Sequence, residues 1–475
     1  MSEDHDHTKE LVTKYEQMLA NSKSVYFDID ELEEIVEFYC EASKFHKALR
    51  VIEYAYTLFP NNTFMMLCEG QVLSALGHLN KALSKMKELE KHEPDNEEML
   101  LTMSGIYSQL RDHQQSIELL KRVLAGGNSE FETEIYLDIA LEYENIDRPD
   151  KAIEILHEAL ERNPENETFI HELAYCYDVS ERTSESLEYY EKFIEKHPFS
   201  FSAWYFKANA QQQLDQLEAA IDSYDYCIAI QQDFTLAYYN KAHTLCKLGR
   251  YQQAIHTFEE TYTYEPPKAP VYCHIGECFE KLNELDKAIF YYRKSISVDD
   301  QFADAFLGIG LVYDMQGKTE EGIQYIERAV ELEGENPDYQ LFLAELLKKA
   351  ERWDEAQSIT ESLTLRFPDN EDVWLDHSDI FFEKGELKKA LHVLNEGWKK
   401  CPQSSELGYR KVAYLMEAGD DKEAEELLFR VFLHNADGLG ELEEYYPEIS
   451  RLALYTELLK QRELLLNEQK KSFRN

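Results

Sequence analysis

Small and large apolar residues recur along this chain at fixed places in a unit of 34 residues. Position 20 of each unit is Ala48, Ala82, Ser116, Ala152, Ser186, Ala220, Ala254, Ala288, Gly322, Ala356, Ala390 and Ala424. Position 8 is small in ten units, among them Gly70, Ala208, Gly276 and Gly310, and is Val36 and Val412 in the first and last. Position 24 is apolar in all but one, where it is Thr360, and position 11 is usually aromatic or Leu, as in Tyr39, Tyr177 and Phe279. Residues three and four apart share a helix face. The spacing 4, 8, 11 therefore predicts one amphipathic helix and 20, 24 a second. Small side chains at 8 and 20 let the two backbones approach, and large ones at 4, 11 and 24 fill the space around them.

Punctuation sets the same period. Pro60, Pro94, Pro164, Pro198, Pro266, Pro368 and Pro402 stand at multiples of 34, except that two extra residues fall between 94 and 164, near Gly126-Gly127-Asn128-Ser129. Proline cannot continue a helix, so each closes a unit. Position 15 often holds a residue that tolerates left-handed backbone: Gly77, Gly249, Gly317, Gly385, Gly419, Asn283, Asp147 and Asp215. Such a residue ends the first helix and turns the chain. Twelve units then begin at Ile29, Thr63, Glu97, Thr133, Glu167, Phe201, Thr235, Ala269, Ala303, Pro337, Glu371 and Ser405. The two-residue insertion is expected to change the helix angle between the third and fourth units, because curvature comes from one rotation repeated per unit.

These positions resemble those of the tetratricopeptide repeat. The match is fullest at Trp204, Ala208, Leu214, Ala220 and Tyr224, and in the next unit at Tyr238, Ala242, Gly249, Tyr251, Ala254, Phe258 and Pro266. The departures are single positions, such as Gln211 at position 11 and Gln340 at position 4. The resemblance runs from Ile29 to Ala436 and implies an all-α fold, a right-handed superhelical α-solenoid of about twelve helix-turn-helix units. Residues 1–28 read as an acidic segment with one short helix, roughly Lys9 to Ala20. Residues 437–475 read as a capping helix and basic tail. Pro447 forbids a thirteenth first helix, so one amphipathic helix is expected from Pro447, with Ile449, Leu452, Tyr455, Leu458 and Leu459 on one face.

Composition narrows the partners. Among 475 residues, 49 Lys and Arg face 93 Asp and Glu, a net charge of −44. That charge opposes nucleic acid and anionic membrane surfaces, and favours solubility and basic partners. Hydrophobic residues at 44% and 31 Tyr give enough apolar surface to fold. The start MSEDHDHTKE lacks the pattern of a signal peptide, and no apolar run approaches the ~20 residues of a membrane span. A cytoplasmic location is expected. The eight cysteines form no CxxC pair and read as reduced thiols, several filling helix interfaces.

Catalytic motifs leave little trace. His171-Glu172-Leu173-Ala174-Tyr175 approaches the zinc-protease HExxH but has Tyr175 where the second ligand belongs. Gly308-Ile309-Gly310 lacks the third glycine and the preceding strand of a dinucleotide loop. His5-Asp6-His7 offers no preformed metal geometry. No enzyme activity, cofactor or metal is expected. The resemblance implies instead that the first helices line a concave groove, with positions 2, 5, 9, 12 and 13 facing it. On units five to eight this points to His171, Tyr175, Asp178, Tyr205, Asn209, Gln212, Tyr239, His243, Glu277 and Glu280, with Cys246 and Cys273 among them. Aromatic platforms beside hydrogen-bonding groups suit an extended peptide. A family subset clamps a C-terminal carboxylate with Lys at position 5 and Asn at 9; here position 5 is never Lys or Arg, and Asn209 alone matches. The function expected is a protein-interaction scaffold that binds a protein or peptide segment of basic character. The alternative is a structural subunit assembling through its convex face or ends.

Overall fold

A computed structural model describes residues 2–21, 25–127, 130–436, 438–452 and 454–462. Among them every regular element is helical. The chain forms two compact units, Met1–Ala237 and Tyr238–Asn475. In the first, α1 (Ser2–Asn21) precedes helical hairpins α2 (Ile29–Glu41) with α3 (Phe45–Leu58), α4 (Thr63–Ala75) with α5 (Leu79–Leu89), and α6 (Glu97–Gln109) with α7 (His113–Gly126). There follow α8 (Glu132–Asn145) with α9 (Pro149–Arg162), α10 (Glu167–Val179) with α11 (Thr183–Lys196), and α12 (Phe201–Gln213) with α13 (Leu217–Ile230). The division falls inside α14 (Thr235–Lys247), which pairs with α15 (Tyr251–Glu260) and a 3-10 turn at Thr261–Thr263. The second unit continues with α16 (Ala269–Lys281) and α17 (Leu285–Val298), α18 (Ala303–Met315) and α19 (Thr319–Leu332), and α20 (Pro337–Lys349) and α21 (Trp353–Arg366). It ends with α22 (Glu371–Glu383) and α23 (Leu387–Lys400), α24 (Ser405–Glu417) and α25 (Asp421–His434), and the short α26 (Leu439–Tyr445).

Three local devices repeat. First helices start on side-chain caps from Asp28, Asn62, Asn96, Asn166, Ser200, Asn336, Asn370 and Ser404, each accepting an amide hydrogen from the first turn. Asp28 and Glu31 complete a reciprocal capping box. Each first helix ends in left-handed backbone at position 15. Glycine fills it at Gly77, Gly249, Gly317, Gly385 and Gly419, but Ser43, Arg111, Asp147, Glu181, Asp215, Asn283 and Glu351 hold the same geometry, with φ between 54° and 61°. The next amide donates back to position 11, as in Lys44 to Tyr39 (2.7 Å), Arg182 to Tyr177 (3.0 Å) and Glu284 to Phe279 (2.9 Å). This bond satisfies a helix-end carbonyl that would otherwise lack a partner, and it offsets the cost of left-handed backbone.

The third device is the seam between paired helices. All the position-20 residues are buried, including Ser116 and Ser186. In α18–α19 the backbones come so close that a Cβ on Gly322 would lie 2.6 Å from the Gly310 carbonyl oxygen. In α16–α18 the Tyr292 ring is held between Gly276 and Gly308, where a Cβ would approach it to 2.8 and 2.4 Å. Gly308 and Gly310 are thus packing glycines inside a helix.

The ends depart from expectation. The N-terminal helix is α1, longer than Lys9 to Ala20. Its Leu11, Val12, Tyr15 and Met18 bury against Phe27, Leu32 and Ile35 and cover the first hairpin. The segment from Pro447 is not one helix. Pro447–Arg451 is a 3-10 turn, Leu452 is extended (φ −79°, ψ 124°), and a separate helix occupies 454–462. The extended residue breaks the helix, yet Ile449, Leu452, Tyr455 and Leu458 are all buried against α24–α26. At the insertion, α7 runs to Gly126 and Gly127 takes φ 71°. Asn128, Ser129 and the basic tail beyond residue 462 lie outside the described residues.

Candidate partner-binding surface

In the first unit the outward side of α10 carries His171, Tyr175, Asp178 and Val179, all exposed, while Phe169, Ile170, Leu173, Cys176 and Tyr177 turn inward. Tyr175 is 54% exposed and Val179 52%, and Leu141 on the neighbouring first helix α8 is 52% exposed. The His171 ring stands edge-on to Phe206, with centroids 4.9 Å apart. Asp178 accepts from Gln213 Nε2 at 3.0 Å, which ties α10 to α12. Tyr205, Asn209 and Gln212 are half-buried and engaged inside the chain. The Tyr205 ring meets Phe206 and Phe234 at 5.1 Å each. The Tyr224 hydroxyl lies 2.7 Å from Asn209 Oδ1 and 3.1 Å from Gln212 Oε1.

Carboxylates rim this surface. Burial raises the Asp138 carboxyl, with Glu142 and Glu134 adding to the shift. Glu172 is raised by burial and then by Glu144, which also accepts from the Cys176 thiol at 3.1 Å. Burial is the larger cause in both, and the repulsion between neighbouring carboxylates that adds to it is the part an incoming cation relieves.

In the second unit, Tyr239, His243, Glu277 and Glu280 lie on α14 and α16. Tyr239 donates to Glu265 Oε1 at 2.6 Å, and burial with that bond pushes its hydroxyl pKa up to about 12. The His243 ring is edge-on to His274 at 4.6 Å and to Phe258 at 5.5 Å. Burial holds it neutral to lower pH, and His274 acts in the same direction. Glu277 is exposed and lies 3.0 Å from His274 Nδ1. The protein packed around one side of its carboxyl partly desolvates it and would raise it, but the His274 hydrogen bond and the nearby imidazoles hold it below the usual range. Glu280 accepts from Tyr292 at 2.9 Å. Cys273 is 2% exposed, so it faces inward although it stands at a groove position.

An ionic cluster on α22 and α24 escapes the sequence reading. Arg410 and Tyr414 both reach Asp379, and Arg410 stacks on the Tyr445 ring at 3.7 Å. Asp376 is held up at about 6, by burial first, against the pull of Lys348 and with Asp379 adding. The signal was a separation rather than a motif: Asp379 and Arg410 are 31 residues apart. Among the described residues no helix is long and apolar enough to cross a membrane.

Models of the tetratricopeptide repeat match residues 133–176, 172–233, 236–267, 269–302 and 315–375. Among solved structures, the chain is similar to the crystal structure of the APC/C hetero-tetramer Cut9–Hcn1 at 13% identity and a TM-score of 0.39, over 90% of this chain and 93% of that one. It is also similar to yeast Tom70 at 13% identity and a TM-score of 0.43, over 86% of this chain and 97% of that one. No curated protein matches it.

Proposed function

This chain is a tetratricopeptide-repeat protein, and from that premise we propose that it is a non-catalytic interaction scaffold whose first helices bind a segment of another protein. The observation that carries this is on α10: Tyr175 and Val179 stay uncovered beside carboxylates that already repel one another. An apolar anchor within a negative field fits a partner segment that pairs an apolar side chain with Lys or Arg. Apolar contact supplies most of the affinity, and charge raises the association rate and sets preference. Within the proposed array of 29–436, His171, Asp178, Tyr205, Asn209 and Gln212 belong to the proposed surface of the first compact unit, and Tyr239, His243, Glu277 and Glu280 to a proposed partner surface of the second. Tyr205 and Tyr239 serve there partly as supports, since both are packed or bonded within the chain. A cytoplasmic location is part of this proposal, and the scattered free thiols are compatible with it.

A second reading is a structural subunit that assembles through its second helices. It rests on Tyr226 of α13, Phe290 of α17 and Leu365 of α21, exposed by 56%, 54% and 80%. Surface-plasmon kinetics on a partner recovered by pull-down separates the two. Tyr175→Ser should weaken binding mainly through faster dissociation, by about tenfold or more if it is an interface anchor. Glu277→Gln with Glu280→Gln should slow association and flatten its dependence on salt. If both variants bind like the parent while Tyr226→Ser and Leu365→Ser fail, the second reading replaces the first.

A further inference from the structure

Neighbouring first helices α14 and α16 bring two thiols into contact. Cys246 Sγ lies 3.4 Å from Cys278 Sγ, close to van der Waals contact, with a hydrogen shared between them. The two are not equivalent. Cys246 is partly exposed and Cys278 is buried. One turn before them on each helix stand His243 and His274, with ring centroids 4.6 Å apart, and Glu277 adjoins Cys278 in sequence. The other cysteines of this unit lack such a neighbour: buried Cys273 contacts the Glu277 carboxylate at 3.8 Å, and Cys401 the Pro368 carbonyl at 3.6 Å.

We propose that Cys246 and Cys278 are a redox modification site, which closes to a reversible intrachain disulfide on reaction with a hydroperoxide. Cys246 is the attacking thiol. It is the accessible one, and its contact with the Cys278 thiol lowers its pKa while raising that of Cys278. The thiolate is the reactive form. Its sulfur attacks the outer oxygen of the hydroperoxide and the O–O bond breaks. Water or an alcohol leaves, and Cys246 becomes a sulfenic acid, oxidised by two electrons. The Cys278 sulfur then attacks that sulfur. The S–S bond forms, the S–O bond breaks, and the hydroxide leaves as water with the proton of Cys278. Two equivalents of a small thiol reverse the change by thiol–disulfide exchange: the first forms a mixed disulfide with one cysteine, the second displaces that cysteine, and the pair leaves as its own disulfide, having supplied two electrons and two protons.

Closure requires the sulfurs to move from 3.4 Å to about 2.0 Å, a shift that side-chain rotation and a small helix displacement supply. The product ties together the first helices of two consecutive hairpins, beside His243 and Glu277. This inference does not rest on the partner reading, and its test needs no partner.

The full chain is reduced, freed of reductant and treated with hydrogen peroxide. Remaining thiols are alkylated in denaturant, and the chain is cut after Lys and Arg and then after Glu. The second cut matters because Cys273 and Cys278 otherwise share the peptide Ala269–Lys281, and cleavage after Glu277 separates them. Mass spectrometry without reduction should find the Ala242–Lys247 peptide joined to the one beginning at Cys278. The joined species should reach most of the protein, stay monomeric on a non-reducing gel, and vanish on adding dithiothreitol. Cys40, Cys68, Cys176, Cys227, Cys273 and Cys401 should be recovered alkylated. The proposal is overturned if Cys246 and Cys278 are recovered separately alkylated, or if Cys246 ends as sulfinic acid without a link. A covalent dimer through Cys246, or a link formed only in denaturant, overturns it too. The assignment rests on the unaltered chain, so it survives a Cys246→Ser variant that fails to fold. If that variant folds, it should lose the linked peptide and leave Cys278 reduced.

Discussion

The hairpins α10–α11 and α16–α17 follow one register and place a tyrosine at the same position 24, yet they use it differently. Tyr190 is wholly buried and donates to the Ile170 carbonyl at 3.1 Å. Tyr292 lies between Gly276 and Gly308 and donates to the Glu280 carboxylate at 2.9 Å. Position 8 is Ala174 in the first hairpin and Gly276 in the second. The outward positions diverge further: Tyr175 is bare on α10, while Glu277 and a contacting thiol pair mark α14 and α16. The seam tolerates substitution only when space is conserved across both helices. The outward face is under no such constraint, so chemistry can differ between units that share a backbone.

The largest expected effect tests whether both tyrosines hold their seams equally. Tyr190→Ala and Tyr292→Ala should each cost about 3–5 kcal/mol, as for other buried aromatic truncations. Damage in an array need not spread evenly, so amide hydrogen exchange is the proper measurement. Protection should fall first in α10–α11 for Tyr190→Ala and in α16–α18 for Tyr292→Ala. The Tyr→Phe variants separate the hydroxyls. Each should cost about 1 kcal/mol, the usual worth of one hydrogen bond. A neutral Tyr190→Phe would mean that the Ile170 carbonyl is already satisfied by its helix.

Next comes Gly276→Ala, which puts a Cβ 2.8 Å from the Tyr292 ring. Overpacking of this kind should cost about 1–3 kcal/mol. The reverse change, Ala174→Gly, should cost only about 1 kcal/mol, from helix propensity. Equal losses would show that the two seams are equally close and would break the comparison. Chemical denaturation measures both, with exchange followed on α16–α17 for Gly276→Ala and on α10–α11 for Ala174→Gly.

These seams explain what the sequence could reveal. Close packing demands particular sizes at positions 8, 20 and 24, so the helical hairpins are written in residue types. Contacts between neighbouring first helices are not. They join residues such as those 31, 32 or 35 apart, as in Arg410 with Asp379, Cys176 with Glu144, Cys246 with Cys278, Gln213 with Asp178 and Lys349 with Asp314. A search at the repeat length of 34 misses all of these pairs. The thiols were therefore legible as eight scattered cysteines and illegible as a pair. Cys273 shows the converse, since a groove position did not guarantee an outward side chain. The 3-10 turn after Pro447 and the full length of α1 were hidden for another reason. Both lie where no repeat supplies a second copy of the pattern.

The smallest effect concerns the turns of the same two hairpins. Glu181 and Asn283 both hold position 15 in left-handed backbone, at φ 55° and 58°. For most L-residues that region costs about 1–2 kcal/mol, whereas Asn visits it more readily. In each case the backbone bonds do the holding: Glu181 donates to Asp178 at 3.0 Å and Asn283 to Glu280 at 2.8 Å, through their amides. Both side chains are exposed, so replacing them removes no buried contact. Glycine relieves the strain but adds freedom to the unfolded chain, a cost of about 0.4–1 kcal/mol. Glu181→Gly should therefore stabilise α10–α11 by up to about 1 kcal/mol, and Asn283→Gly should change α16–α17 by no more than a few tenths, because less strain is there to relieve. Exchange protection at the Arg182 and Glu284 amides, which close the two turns, reads the difference directly. A loss of protection in Glu181→Gly would mean that unfolded-state entropy outweighs strain. Equal gains in both would mean that asparagine has no advantage at this turn, and that the backbone bonds alone set its geometry.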